Sequence, residues 1–196
     1  IGALPYVLKE LNVPVYGTRL TLGIVEGKMR EVSPEVTPKF QVVKAGDRIT
    51  VGVFGIVFLR VSHSIADVVA LAIHTPYGYV VHTSDFKFDQ TPIGGAVTDF
   101  HRFADYGEKG VLMLLSDSTN AERPGYTLSE RVVGQTFDET FRVAENRILV
   151  ATFASNIHRI QQIADSAVRF GRKVCVVGRS MVNVVGIARD LGYLNI

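Results

Sequence analysis

The 196-residue chain has 47% apolar and 20% charged residues, a balance that belongs to a folded α/β protein and excludes an intrinsically disordered one. Its formal charge of +2 is too small to announce nucleic-acid binding, which is normally signalled by a concentrated basic patch, although a local basic groove stays open. Every apolar run is broken before the roughly 18 residues that a membrane helix needs, and a single Cys175 excludes a disulfide framework and a thiolate metal cluster.

The chain therefore reads as soluble, from a reducing compartment, with Cys175 as a buried structural thiol inside the apolar run 174–177. It begins Ile1-Gly2-Ala3-Leu4 without a starting Met and without a signal or transit segment, which suggests a fragment or a trimmed product. Ile1, Leu4, Leu8 and Leu11 recur at helical spacing and predict a helix already running at the first residue and stopping near Asn12. A short helix is expected over 18–28, then a loop with Ser33-Pro34 and Thr37-Pro38. Strands follow at 41–43, 48–51 and 54–61, and 68–73 pairs with 79–83 across Thr75-Pro76-Tyr77-Gly78. After Tyr126 the texture changes. Thr127-Leu128-Ser129-Glu130 has capping-box spacing, and Val133, Phe137, Phe141 and Ala144 follow at helical intervals. A strand over 147–153, a helix over 156–170 with Ile157, Ile160, Ala164 and Ala167 on one face, a strand over 173–177 and a helix near 181–191 imply a small parallel sheet. There is no internal repeat and no low-complexity segment.

His63 and Asp85 fall where predicted strands end, which is where sheet scaffolds carry chemistry. An imidazole and a carboxylate separated by a hairpin are the mixed nitrogen and oxygen donors that zinc or manganese accepts. Two ligands do not make a site, and each residue type is also common in a purely structural role. Ser155 and Asn156 stand between a strand and a helix, and Gly178-Arg179-Ser180 repeats that arrangement. Both are candidate phosphate cradles, because helix N-termini present unpaired amides and a favourable dipole and Arg179 adds a charge-assisted contact. The same serines can equally serve as helix caps, and His158 is equally explained by helix packing. His74 and His82 do not read as ligands, since His82 alternates away from Asp85 along a strand. His101 reads as a packing or surface residue, Asp67 as structural with holding a loop or a ligand as the alternative, and Lys87, Arg102, Lys109 and Arg123 as solvated surface.

The pattern Ser62-His63-Ser64-Ile65-Ala66-Asp67, then Ala72-Ile73-His74-Thr75-Pro76, then His82-Thr83-Ser84-Asp85-Phe86-Lys87-Phe88-Asp89-Gln90-Thr91-Pro92 strongly resembles the ribonuclease J branch of the β-CASP metallo-β-lactamase superfamily. Ser116-Asp117-Ser118-Thr119-Asn120-Ala121-Glu122 with Pro124-Gly125, and Phe153-Ala154-Ser155-Asn156-Ile157-His158-Arg159, extend the resemblance over nearly the whole chain. It implies an α/β fold: a partial metallo-β-lactamase αββα sandwich over 1–126, then the first part of an inserted β-CASP domain over 127–196, with a nuclease cleft between them. It also implies two divalent metal ions, zinc or manganese, with His63 ligating one, Asp85 bridging both, and Asp117 in the acidic motif that orients a ligand imidazole, unless Asp117 only caps its turn.

The implied activity is hydrolysis of RNA phosphodiesters, 5′-to-3′ exonucleolytic and endonucleolytic, in cytoplasmic RNA turnover and maturation, rRNA included. Single-stranded RNA would be held mainly by its backbone at Ser155, Asn156, His158, Arg179 and Ser180, with bases stacked where aromatic residues permit. No membrane partner is implied, and a homo-oligomer, dimer or tetramer, is. In the family the remaining ligands come from a His-x-His-x-Asp-His segment ahead of a stretch resembling Ile1-Gly2-Ala3-Leu4-Pro5-Tyr6 and from His motifs further on. This sequence thus holds a minority of the active site, and by itself is expected to be inactive. It departs from the pattern at Ala66, where relatives generally have Pro, which loosens the turn after His63 and removes no ligand. Two other readings stay open: a β-CASP nuclease acting on DNA or precursor-RNA ends, and a catalytically inactive RNA-binding homologue.

Overall fold

Pro5 lies in the first turn of α1 (Leu4–Glu10), where a missing amide proton costs nothing because first-turn amides have no helical partner. The helix therefore starts at Leu4 and does not run through Ile1. The computed structural model describes residues 1–94 and 96–196. A short parallel pair, β1 (Pro14–Gly17) with β2 (Lys39–Val42), flanks α2 (Arg19–Val32), which runs four residues past the expected end and buries Leu20, Leu22, Val25 and Met29. Pro14 opens β1 and so withholds no ladder amide from its interior.

The sheet that carries the site has five strands in spatial order β3 (Arg48–Val51), β4 (Phe54–Arg60), β5 (Val69–Thr75), β6 (Gly78–His82) and β7 (Val111–Leu115). The first four form an antiparallel meander, with Thr75 opposite Gly78 closing the β5–β6 hairpin at a glycine φ of 136° that other residues avoid. The helix α3 (Phe100–Lys109) returns the chain so that β7 joins parallel to β6. Leu59, Val61, Ala70 and Ala72 are buried beneath Phe103 and Tyr106 of that helix.

Three helices make up most of the rest: α4 (Glu130–Val143), α5 (Ile157–Arg169) and α6 (Arg179–Asp190). The cap of α4 is Ser129, whose hydroxyl accepts the Arg131 amide, and not the Thr127 of the capping-box spacing. Ile157, Ile160, Ala164 and Ala167 of α5 are all buried on the face their spacing predicts. Ile157 and Ile160 share a core with Val184, Val185, Ala188 and Leu194, and with Leu20 from α2, so both ends of the chain meet in one cluster.

The strands expected over 147–153 and 173–177, and the small parallel sheet they implied, are absent among the described residues. Apolar composition signals a tendency to be buried, whereas a strand also needs a neighbour to complete its hydrogen-bond ladder. Neither segment has one, and Leu149, Phe153 and Val177 are 89%, 81% and 79% exposed. Cys175 is exposed with them and is not the buried thiol its neighbours suggested. Among the described residues no helix is long and apolar enough to cross a membrane.

Candidate metal centre

Strand β4 delivers His63 and strand β6 delivers Asp85, and the two loops are tied together just beyond the sheet. The Ser62 carbonyl accepts the Lys87 amide at 2.8 Å in an isolated antiparallel bridge, while the Ser62 amide donates to Thr98 Oγ1 at 3.0 Å. This leaves His63 Nε2 3.8 Å from Asp85 Oδ2. The gap is too long for a direct hydrogen bond. Two donors that each lie about 2.0–2.2 Å from a shared cation are less than about 4.4 Å apart, so the pair fits one ion between them. Asp85 is exposed and His63 is about a quarter exposed, so the ion would be reached from solvent.

Only two non-glycine residues among those described have left-handed backbone, and each lies in one of these loops: Asp67 at φ 59° and Ser84 at φ 55°. Side chains rarely adopt this region unless their surroundings impose it. Ser84, directly before Asp85, donates its amide to His82 Nδ1 at 3.0 Å and its hydroxyl to the Val69 carbonyl at 2.7 Å. His82 thus acts as a local acceptor beside the site.

Asp117 follows β7 and approaches from the third side. Its amide donates to Thr83 Oγ1 at 3.0 Å, and its Oδ1 accepts the Thr119 amide at 3.0 Å and hydroxyl at 2.7 Å. Its Oδ2 lies 3.5 Å from the Phe86 amide. The Thr119 hydroxyl and then its amide hold the Asp117 carboxyl below the usual carboxylate range; slight desolvation opposes them, and the Phe86 amide and the His63 charge add to them. The ends of β4, β6 and β7 therefore place His63, Asp85 and Asp117 at the same edge of the sheet. Among the described residues no three His, Cys, Asp or Glu side chains are arranged around a common point as a metal cage; His63 and Asp85 face each other as a pair.

A cavity of about 680 Å³ opens beside His63, with Arg19, Asp67, Lys87, His158 and Tyr193 in its walls. It brings His158 to the same space as His63. Burial pushes the His158 imidazole below its ordinary value, Glu130 opposing and Lys87 adding. The other phosphate-cradle candidates do not line this space. Asn156 is buried, and its side-chain oxygen accepts the Arg159 amide at 3.2 Å as the cap of α5, while Ser155 sits in the turn before it. Arg179 and Ser180 are exposed in the first turn of α6, whose cap position is Gly178, so Ser180 is not a cap.

A buried ion-pair network went unforeseen. The Asp89 side chain, 3% exposed, accepts the Thr91 amide on Oδ1 at 3.0 Å and both the Ser129 hydroxyl and the Glu130 amide on Oδ2 at 3.0 and 3.2 Å. Lys87 Nζ lies 3.4 Å from Asp89 and 4.0 Å from Glu130. Burial raises the Asp89 carboxyl, but the Thr91 amide, the Ser129 hydroxyl, the Glu130 amide and Lys87 together bring it below the usual range. Lys87 is therefore not the solvated surface residue expected of it. No local pattern marks this network, because Asp89 completes the cap of a helix 41 positions away.

Residues 145–196 match the family model described as ribonuclease J, β-CASP domain, a match consistent with the mixed α/β fold of the chain. Over its whole length the chain is 45% identical to the ribonuclease J of Helicobacter pylori strain J99, covering 100% of this chain and 28% of that protein. It is 48% identical over 196 residues to that of a Synechocystis species, covering 99% and 31%, and 46% identical over 197 residues to that of Mycobacterium tuberculosis strain H37Rv, covering 100% and 35%. The chain is thus similar to ribonuclease J over its whole length, and it spans 28–35% of the length of these curated relatives. A crystal structure of a protein of unknown function from Enterococcus faecalis V583 shares the fold, with a TM-score of 0.68 at 18% identity over 94% of this chain and 45% of that one.

Proposed function

We propose that this chain forms part of a metal-dependent ribonuclease and supplies to it one histidine ligand and the bridging carboxylate. The observation that carries the reading is the facing of His63 Nε2 and Asp85 Oδ2 across 3.8 Å at two strand ends, in a chain with 45–48% identity to ribonuclease J along its length. His63 would hold one divalent cation, Asp85 would hold that cation and a second, and Asp117 would keep a ligand imidazole oriented. Zinc or manganese, when bound there, supplies acidification of a water and neutralisation of charge on the phosphodiester. The exposed Asp85 leaves that chemistry open to a long substrate.

Single-stranded RNA is the substrate, cut from its 5′ end and internally, in RNA turnover and maturation. Its backbone passes through the cavity shared by His63 and His158, and Arg179 and Ser180 meet it further along at the N-terminus of α6. Ser155 and Asn156 shape the start of α5, with Asn156 contributing through its cap. The division at 126/127 is supported by the change from the five-stranded sheet to the helices α4 to α6, even though Leu20 crosses it to join the helical core. The whole protein works as a dimer or tetramer. His63 and Asp85 alone leave both cations short of ligands, so the 196-residue chain by itself is inactive.

The test is cleavage of 5′-labelled RNA by the full-length protein with and without manganese. Metal-dependent loss of label that Asp85→Ala abolishes is expected; cleavage that survives Asp85→Ala, or that ignores chelation, would overturn the reading.

A further inference from the structure

The phenol of Tyr193, in the turn after α6, donates to Asp67 Oδ2 at 2.6 Å across 126 positions of sequence. The same carboxylate oxygen accepts the Leu20 amide from the first turn of α2 at 3.2 Å. Asp67 is one of the two left-handed non-glycine residues, it stands four positions after His63 in the same loop, and both residues line the cavity. Its other oxygen is buried without a partner, so the contacts on Oδ2 are the ones that hold this side chain. They come from α2 and from the tail of α6, outside the loop itself.

The remaining anchors of the loop lie at its ends. Ser62 is tied to Thr98 and Lys87, and the Val69 carbonyl to the Ser84 hydroxyl. Between them Ile65 and Ala66 rest on the helical core containing Leu20, Val184 and Ala188. A left-handed residue reverses the chain sharply, so the direction in which the loop leaves His63 depends on Asp67 keeping that conformation.

We infer that Tyr193 is a positioning residue for His63: through Asp67 it fixes loop 62–68 against α2 and α6, and so keeps the imidazole aimed at Asp85. The inference rests on His63 and Asp85 being metal ligands. Its consequence is that the seat of the helical part is felt at the metal, since Tyr193 moves with α6 and Asp67 with His63.

In the full-length protein, Tyr193→Phe keeps the ring and removes the donor. Three quantities decide: amide exchange of residues 62–68, manganese affinity by titration calorimetry, and kcat and KM on labelled RNA. Faster exchange is expected together with about tenfold weaker manganese binding, the low end for a group acting behind a ligand. The fall in kcat should match, with KM for RNA within about twofold of wild type. Asp67→Asn keeps an oxygen for both donors and should stay within about twofold of wild type in manganese affinity, whereas Asp67→Ala should not. A Tyr193→Phe protein that melts earlier but binds manganese and turns over like wild type would show a mere structural staple and overturn the inference. If wild type binds manganese but cleaves no RNA, the ribonuclease reading fails while the exchange and manganese data still decide for or against Tyr193. If wild type binds no manganese, both fall.

Discussion

Glu130 receives the Arg159 guanidinium on both carboxylate oxygens, Nε to Oε1 at 2.7 Å and Nη2 to Oε2 at 3.0 Å, joining the first turns of α4 and α5. Both side chains are largely shielded, at 14% and 29% exposure, so the pair is screened less than a surface bridge. Glu130 also lies where a helix dipole favours an anion, whereas Arg159 lies where it disfavours a cation. The arginine is therefore held at that position by its fork. Arg159→Lys should cost about 1 kcal/mol and Arg159→Ala about 2 kcal/mol in urea unfolding, because a lysine keeps the charge and loses the bidentate geometry. A lysine variant as stable as wild type would mean that charge alone matters there.

Asp89 predicts an acid limb of stability. Its carboxyl lies below the usual range in the fold, whereas in the unfolded chain it returns to about 3.9. A group depressed in this way contributes stability that is complete above its unfolded pKa and is lost as pH falls through the folded one. Asp89→Asn removes the titration. The unfolding free energies of wild type and variant should therefore differ most near neutrality and converge as the solution is acidified below about pH 4. A gap that holds constant down to pH 2 would assign the cost to the amide's extra protons and not to the lost charge.

The meander and the two strand-end candidates were legible because their signals are local: alternating runs 48–51, 54–61, 68–73 and 79–83, and Thr75-Pro76-Tyr77-Gly78 between the last two, lie within a residue or two of the strands observed. The face of α5 was legible for the same reason. What failed depends on partners distant in sequence. The apolar runs around Leu149 and Cys175 announced strands, but a ladder is a property of two segments and composition reports on one. Thr127 matched the capping spacing, yet Ser129 won because its hydroxyl also donates to Asp89 at 3.0 Å, and the Tyr193 phenol on Asp67 leaves no periodic trace. The kinship was carried by short motif segments, and it implied roles for His63, Asp85 and Asp117 without the Thr119 hydrogen bonds that hold the Asp117 carboxylate or the Ser84 bonds that fix the turn before Asp85.

Ser84 separates backbone cost from hydrogen bonding. At φ 55° a side chain costs about 1 kcal/mol that glycine does not incur. Ser84→Ala keeps this cost and loses the hydroxyl bond to the Val69 carbonyl; Ser84→Gly loses the bond and also the cost. The glycine variant should be the more stable of the two by about 0.5 kcal/mol in urea unfolding, because the entropy of its unfolded chain takes back part of that gain. Equal stability would show that the turn before Asp85 carries little strain.

Thr119 should be visible in the titration of Asp117. Its hydroxyl, at 2.7 Å from Oδ1, is the largest cause of the lowered carboxyl, ahead of its amide. A donor to the ionised form favours that form, so Thr119→Val, which keeps the shape and deletes the donor, must move the Asp117 pKa upward toward the ordinary carboxylate value. The amide at 3.0 Å remains, so the return is partial. Carbon-13 NMR titration of the Asp117 carboxyl in metal-free protein reads this directly, and Ser116→Ala serves as a control because its hydroxyl donates to the Asp117 carbonyl and not to the carboxylate. An unmoved resonance in Thr119→Val would transfer the effect to the Thr119 amide and leave the hydroxyl as a packing group.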